Sequence, residues 1–212
     1  GVIKSGSGAW TLNGVNRWTG STNVNAGTLL VHGSLAGGGT INVANGATLG
    51  GTGSIAGTVT VSSGGRLDPG ASPGTLTLSG TLTLATGSTT NMELNAQSLA
   101  RDFVQGLSRV TYGGTLAVTK LARTFTAGQS FRLFDSAQAS GNFSRITPAP
   151  GAGLAWVFDP ATGMLRVVES SAALDSRIVN LSVLTTVSTL EPRVIVGLVI
   201  GGAGTSGGQP LL

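Results

Sequence analysis

Residues 39–56, GTINVANGATLGGTGSIA, superpose without a gap on residues 57–74, GTVTVSSGGRLDPGASPG. Ile41 falls on Val59, Val43 on Val61, Gly46 on Gly64 and Leu49 on Leu67. Apolar residues two apart, with polar residues between them, are the pattern of short strands that bury one face. A fixed period of about eighteen residues, punctuated by Gly and Asn-Gly, marks a stack of repeats and not a closed globule. Val24 to Val43 and Leu30 to Leu49 extend the period towards the N-terminus, each pair nineteen residues apart. The predicted interior ladder is Ile41, Val43, Leu49, Ile55, Val59, Val61, Leu67, Leu76 and Leu78. Each such side chain contributes on the order of 1.5–3 kcal/mol once buried, against the entropy of ordering the chain.

On either side of the tandem the same reading continues. Ala9 to Leu12 and Thr22 to Val24 are predicted strands, with turns at Asn13-Gly14 and Ala26-Gly27 where positive φ is easiest. Residues 68–74, DPGASPG, carry two prolines and are expected to be a turn between strands. Beyond them residues 74–94 alternate apolar and polar strictly, the clearest strand signal in the chain. From residue 99 to 169 charge and aromatics rise, with Arg101, Asp102, Phe103, Arg109, Tyr112, Phe125, Phe131, Arg132, Phe134, Phe143 and Trp156. A stack leaves open strand edges at its end, so this segment is expected to be a cap over residues 1–98. Residues 170–212 are expected to be a small polar linker and the start of a further β module, with strands at 177–183 and 193–200 and a loop at 201–208.

Composition turns these strands into a glycine-punctuated all-β protein. The 35 glycines in 212 residues and 9% charged residues would suit a disordered chain, but 40% hydrophobic residues argue against that. Absence of Cys excludes disulfide staples, thiol catalysis and Cys-ligated zinc, and fits export, since a solenoid buries a continuous core without staples. The net charge of +4 is spread from Lys4 to Arg193 with no basic cluster, so no nucleic-acid partner is expected. Val194 to Ile200 falls far short of the roughly 20 residues of a membrane helix. Gly1 opens the chain without a charged segment leading into an apolar one, so a piece of a longer protein is expected.

The order Lys4, Gly6, Gly8, Leu12, Gly14, Asn16, Trp18, Gly20, Thr22, Val24, Gly27-Thr28-Leu29 resembles the passenger-associated repeat of bacterial autotransporters. The stretch LDPGASPGTLTLSGTLTL is similar to the final turns of such passengers, and Asp102-Phe103, Tyr112 to Val118, Thr126 to Phe134 and Ser140 to Phe143 to their closing segment. The resemblance implies a right-handed parallel β-helix exported to the cell surface, a β-rich cap that helps the stem fold during secretion, and no catalytic residues. It also implies an outer-membrane translocator or anchor elsewhere in the full protein. Residues 170–212 depart from a simple autotransporter plan, in which a barrel of many alternating strands would follow.

Several motifs resemble chemical sites, and each has a packing or solvent reading beside it. Gly51-Thr52-Gly53-Ser54-Ile55-Ala56 has the spacing of a dinucleotide loop, but no helical period follows it, so it is repeat punctuation and no cofactor is expected. His32, alone of its kind, is expected to be a solvated or packing side chain. Asn142-Phe143-Ser144 and Asn180-Leu181-Ser182 are coincidental sequons. Toxin-type calcium repeats need Asp where these rungs carry Thr, Ser and Asn, so no metal site is expected. Glycan cleavage needs paired acids, and Asp68, the one acid in the regular rungs, has no partner there. The expectation is a non-enzymatic surface protein, stalk or adhesin, with surface glycans or self-association as partners. A β-helical polysaccharide lyase or hydrolase is the alternative. An N-terminal rung begun in mid-repeat is expected to fray or self-associate.

Overall fold

Short polar-apolar strands separated by Gly turns cannot bury a face alone, and here each coil buries it against the next. The computed structural model describes residues 1–122 and 124–170. The first three coils are β1 (Val2–Lys4), β2 (Ala9–Leu12), β3 (Val15–Asn16); β4 (Thr22–Val24), β5 (Gly27–Val31), β6 (Ser34–Leu35); and β7 (Ile41–Val43), β8 (Ala47–Gly51), β9 (Ser54–Ile55). The next two are β10 (Val59–Val61), β11 (Arg66–Pro69), β12 (Thr75–Leu78) and β13 (Thr81–Leu84), β14 (Thr89–Asn95), β15 (Phe103–Leu107). A sixth uses β16 (Arg109–Tyr112), β17 (Thr115–Ala122) and β19 (Phe134–Ser136), and a seventh β20 (Ala139–Gly141) and β21 (Arg145–Thr147).

Corresponding strands of successive coils pair in parallel, building two seven-stranded sheets and a six-stranded one. Each return from a strand to its neighbour is a parallel crossover, whose right-handed sense makes this a right-handed β-helix. The expected all-β solenoid is the observed fold, and no helix occurs among the described residues. All nine residues of the predicted ladder are at most 1% exposed.

The register follows the tandem: Val59 pairs with Ile41, Val61 with Val43 and Leu67 with Leu49. One expected pair is corrected. Leu49 lies beside Leu29, not Leu30, because Leu29 comes five positions after Val24 and Leu49 six positions after Val43. The extra residue lies in the Asn45-Gly46 turn, where Gly46 takes φ 75°. Since side chains alternate, the one-residue difference puts Leu29 inside and Leu30 on the surface side. The proline turn is also shorter than expected, for Asp68 and Pro69 belong to β11. Gly70 donates its N–H to Gly51 O (2.9 Å), so Pro69, one residue earlier, faces β14 without an N–H to give. Observed pairing with β14 stops at Leu67.

Glycines stack at the corners where coils approach most closely. At one corner a Cβ on Gly57 would lie 1.8 Å from Gly39 O, one on Gly39 2.3 Å from Gly20 O, and one on Gly80 2.4 Å from Gly57 O. No other residue fits a column so tight.

Parallel coils run on through residues 103–147, inside the segment whose composition pointed to a cap. What departs from them is an antiparallel sheet of β18 (Ser130–Arg132), β23 (Met164–Glu169) and β22 (Leu154–Asp159). Phe158 of this sheet packs edge-on against Tyr112 (4.9 Å between centroids) and Phe143 (5.0 Å), with Phe134 completing the cluster. Residues 1–169 form one compact unit. The further β module expected in residues 170–212 lies, apart from Ser170, outside the described residues.

Among the described residues the buried hydroxyls of Ser88, Thr90 and Tyr112 lack a partner. Burial, then the nearby charge of Asp159, pushes the Tyr112 phenol well above its usual range. Removing an unsatisfied buried hydroxyl relieves its desolvation cost, so Tyr112→Phe is expected to raise stability by about 1 kcal/mol in urea unfolding. A loss of that size would mean the hydroxyl is bonded in solution.

Candidate functional site

The outward residues of the coils form polar ladders along the axis. Asn42 Nδ2 donates to Asn23 Oδ1 (2.8 Å), Thr81 Oγ1 to Thr58 Oγ1 (3.2 Å) and Gln105 Nε2 to Thr77 Oγ1 (3.1 Å). Neighbours in a ladder therefore satisfy one another. His32 is exposed and its Nδ1 lies 3.1 Å from Thr52 Oγ1. The Gly51–Ala56 string turns the corner from β8 to β9, where a Cβ on Gly53 would meet Gly33 O at 2.0 Å. Its glycines serve coil stacking.

The chemistry concentrates instead in a cavity of about 250 Å³ beside β11, β14 and residues 70–74. Asp68, Asn91, Glu93, Asp102 and Thr119 line it, with Pro69, Gly70 and Ser72 of the loop side. Here the expectation that Asp68 has no acidic partner is corrected. The coil between β11 and β14 is longer, since Arg66 pairs with Thr89, so the acids are not one regular period apart. Asn91 Nδ2 donates to Asp68 Oδ1 across the same ladder. Asp102 arrives from the connection between β14 and β15, which no repeat spacing could have placed there.

Asp102 is 3% exposed, and both its oxygens are occupied. Oδ1 accepts from Gly74 N–H (2.8 Å) and Oδ2 from Glu93 N–H (2.8 Å). Burial pushes its carboxyl up to about 6; the two amide bonds oppose that shift, and the charges of Glu93 and Asp68 reinforce it. Asp68 is likewise raised, first by burial, against the pull of the Asn91 bond and Arg66. None of the described residues that line the cavity is Lys, Arg or His. Among the described residues no group of three or more His, Cys, Asp or Glu is arranged to hold a metal ion.

Towards the N-terminus the site is architectural. Lys4, 8% exposed, sits in register with Val24 yet turns its Nζ to Gly6 O and to Ala26 O (2.9 Å). Trp18 Nε1 donates to Thr22 Oγ1 (2.9 Å), and Gly27 takes φ 66° where a Cβ would meet Gly6 O and Gly8 O at 2.4 Å. All of these residues lie within residues 2–31, which match the family model of the passenger-associated-transport-repeat. The chain resembles an autotransporter passenger segment. Over 72 residues it is 49% identical to the Adhesin BmaC autotransporter of Brucella suis biovar 1 (strain 1330), a stretch of 33% of this chain. That stretch spans 2% of the relative's length. Likeness to an autotransporter adhesin implies export to the cell surface. Among the described residues no helix is long and apolar enough to cross a membrane.

Proposed function

We propose that this chain is a non-enzymatic stem segment of an exported autotransporter passenger, acting as a stalk or as part of an adhesin. The observation that carries the reading is the passenger repeat at residues 2–31, whose first coils are continued by the rest of the stack. On this reading residues 1–98 supply rungs, residues 99–169 close the stem, and a translocator or anchor is encoded elsewhere. Surface glycans and further copies of the stem are the partners its polar ladders suit, and the adhesin character of the relative favours them. The acid cavity gives the enzyme reading its one support, since glycoside hydrolysis uses paired carboxylates; against it, both Asp102 oxygens accept backbone N–H bonds and Asp68 Oδ1 accepts from Asn91.

A glycan array and a hydrolysis assay on plant and bacterial polysaccharides test the choice on the 212-residue chain. Array signal without new chain ends is expected of an adhesin segment, and silence on both of a stalk. Release of chain ends, abolished by Glu93→Gln, would overturn the proposal in favour of a β-helical glycan-cleaving enzyme.

A further inference from the structure

The Asp102 carboxyl ties two pieces of chain that the β-ladders do not join there. Through Oδ2 it holds Glu93 on β14, and its own N–H returns to Glu93 O (2.9 Å), so the Asp102 end of the tie is fixed. Through Oδ1 it holds Gly74, the last residue of the loop that walls the cavity. Gly70, at the other end of that loop, packs so closely on the same oxygen that a Cβ would lie 2.1 Å from it. Between these ends Ala71 and Ser72 are exposed, and Ser72 is held in the left-handed region at φ 57°. A non-glycine residue there is strained, and the ends of the loop are held as well by backbone bonds from Gly70 N–H to Gly51 O and from Phe103 N–H to Gly74 O, both 2.9 Å.

The cavity is hostile to a charge at this oxygen pair. Asp68 on β11 and Glu93 on β14 are the titratable groups that face Asp102, and both are acids. The cations nearby point elsewhere or serve another group. Arg66 acts on Asp68; Arg101 donates Nε to Arg132 O (2.8 Å) and lies over the Phe103 ring; Lys120 on β17 reaches Ala149 O and Pro150 O. Residues 70–78, β15 and β8 present no ionisable side chain.

We propose that residues 70–74 are a proton-controlled lid over the acid cavity, closed while Asp102 carries a proton and released when it ionises. A protonated carboxyl keeps an acceptor lone pair on each oxygen, so both amide bonds survive protonation. Ionisation strengthens them, but it also places a negative charge in a partly dehydrated cavity lined by two other acids. Opening the loop lets water reach the carboxylate and relieves that crowding. The closed value of about 6 lies above the ordinary 3.8, so the closed state binds the proton more tightly than the open one. Closure is therefore favoured below about pH 4, and that preference drains away as the pH rises to about 6, then stays constant. The opening equilibrium rises by up to about a hundredfold across that window, if opening relieves the whole difference.

Amide exchange of the 212-residue chain, followed by NMR from pH 4 to pH 7 and corrected for intrinsic rates, reads the lid directly. Gly74 N–H is expected to lose protection by tenfold or more, while amides of β7, remote from the cavity, keep theirs. The carboxyl carbon of Asp102 is expected to titrate near pH 6. Because Asp102→Asn puts an amide donor against two backbone N–H groups and can unfold the loop, the decisive variant is the pair Asp68→Asn and Glu93→Gln. Without its two acidic neighbours, Asp102 should titrate lower and the Gly74 pH response should shrink. A Gly74 response that is flat, or that persists undiminished in the double variant, overturns the proposal, as does an ordinary Asp102 titration.

Discussion

Phe134→Ala is expected to lower the unfolding free energy by about 3–5 kcal/mol, the range for truncating a buried aromatic ring. Phe134 is 1% exposed and packs against three rings, with centroids 5.1 Å from Tyr112 and 6.1 Å from Phe143 and Phe158. It belongs to the parallel coils, and Phe158 to the antiparallel sheet, so the cluster is the hinge of contact between two kinds of structure. Backbone N–H groups of Val104 and Leu133 bond to Leu133 O and Gly163 O around it, which leaves the site little freedom to collapse into the void. In a stack where each coil touches only its neighbours, the damage should stay local. Amides of β16, β19 and β20 are expected to lose exchange protection while those of β4 and β7 keep it. Urea unfolding supplies the magnitude, and uniform loss along all coils would show that the stack unfolds as one cooperative unit.

Gly57→Ala is the second large effect, with a cost of about 3 kcal/mol, at the upper end of ordinary overpacking. One methyl group does this because its neighbour is backbone: the new Cβ would lie 1.8 Å from Gly39 O and 2.8 Å from Gly39 C. No rotamer change relieves such a clash, so adjacent coils must separate at that corner. Gly8→Ala is the matched control, since nothing lies within 4 Å of its Cβ position, and it should stay within about 0.5 kcal/mol of the parent. Thermal unfolding of the two variants side by side makes the comparison. Equal midpoints would mean that the corner breathes enough to admit a side chain.

The stem was legible because its period is written twice. Once Ile41, Val43 and Leu49 were set over Val59, Val61 and Leu67, the register of β7, β8, β10 and β11 followed. Legibility ended where coils change length. One residue in the Asn45-Gly46 turn moved Leu29 into the place expected for Leu30. Beyond the prolines, the step from Arg66 to Thr89 hid the meeting of Asp68 with Glu93, since no fixed period relates them. Asp102 is placed by the N–H groups of Gly74 and Glu93, which donate to its carboxylate, and bonds from distant backbone groups to one side chain leave no pattern of polar and apolar residues. The antiparallel sheet was equally hidden: β18 pairs with β23 across more than thirty residues, and its alternation looks like that of any other strand.

The corner glycines and parallel ladders give the stem a mechanical character. Backbone hydrogen bonds between coils run along the axis, so tension on the two ends of the stem is borne by those bonds in series. A coil such as that from Val24 to Val43 holds nineteen residues, or ~65 Å of extended chain, in a rise of about 4.8 Å. When one coil peels away it releases ~60 Å of slack, and its neighbours, each packed only on the next, stay wound. A stem built this way yields in instalments under a pull, as a spooled tether does.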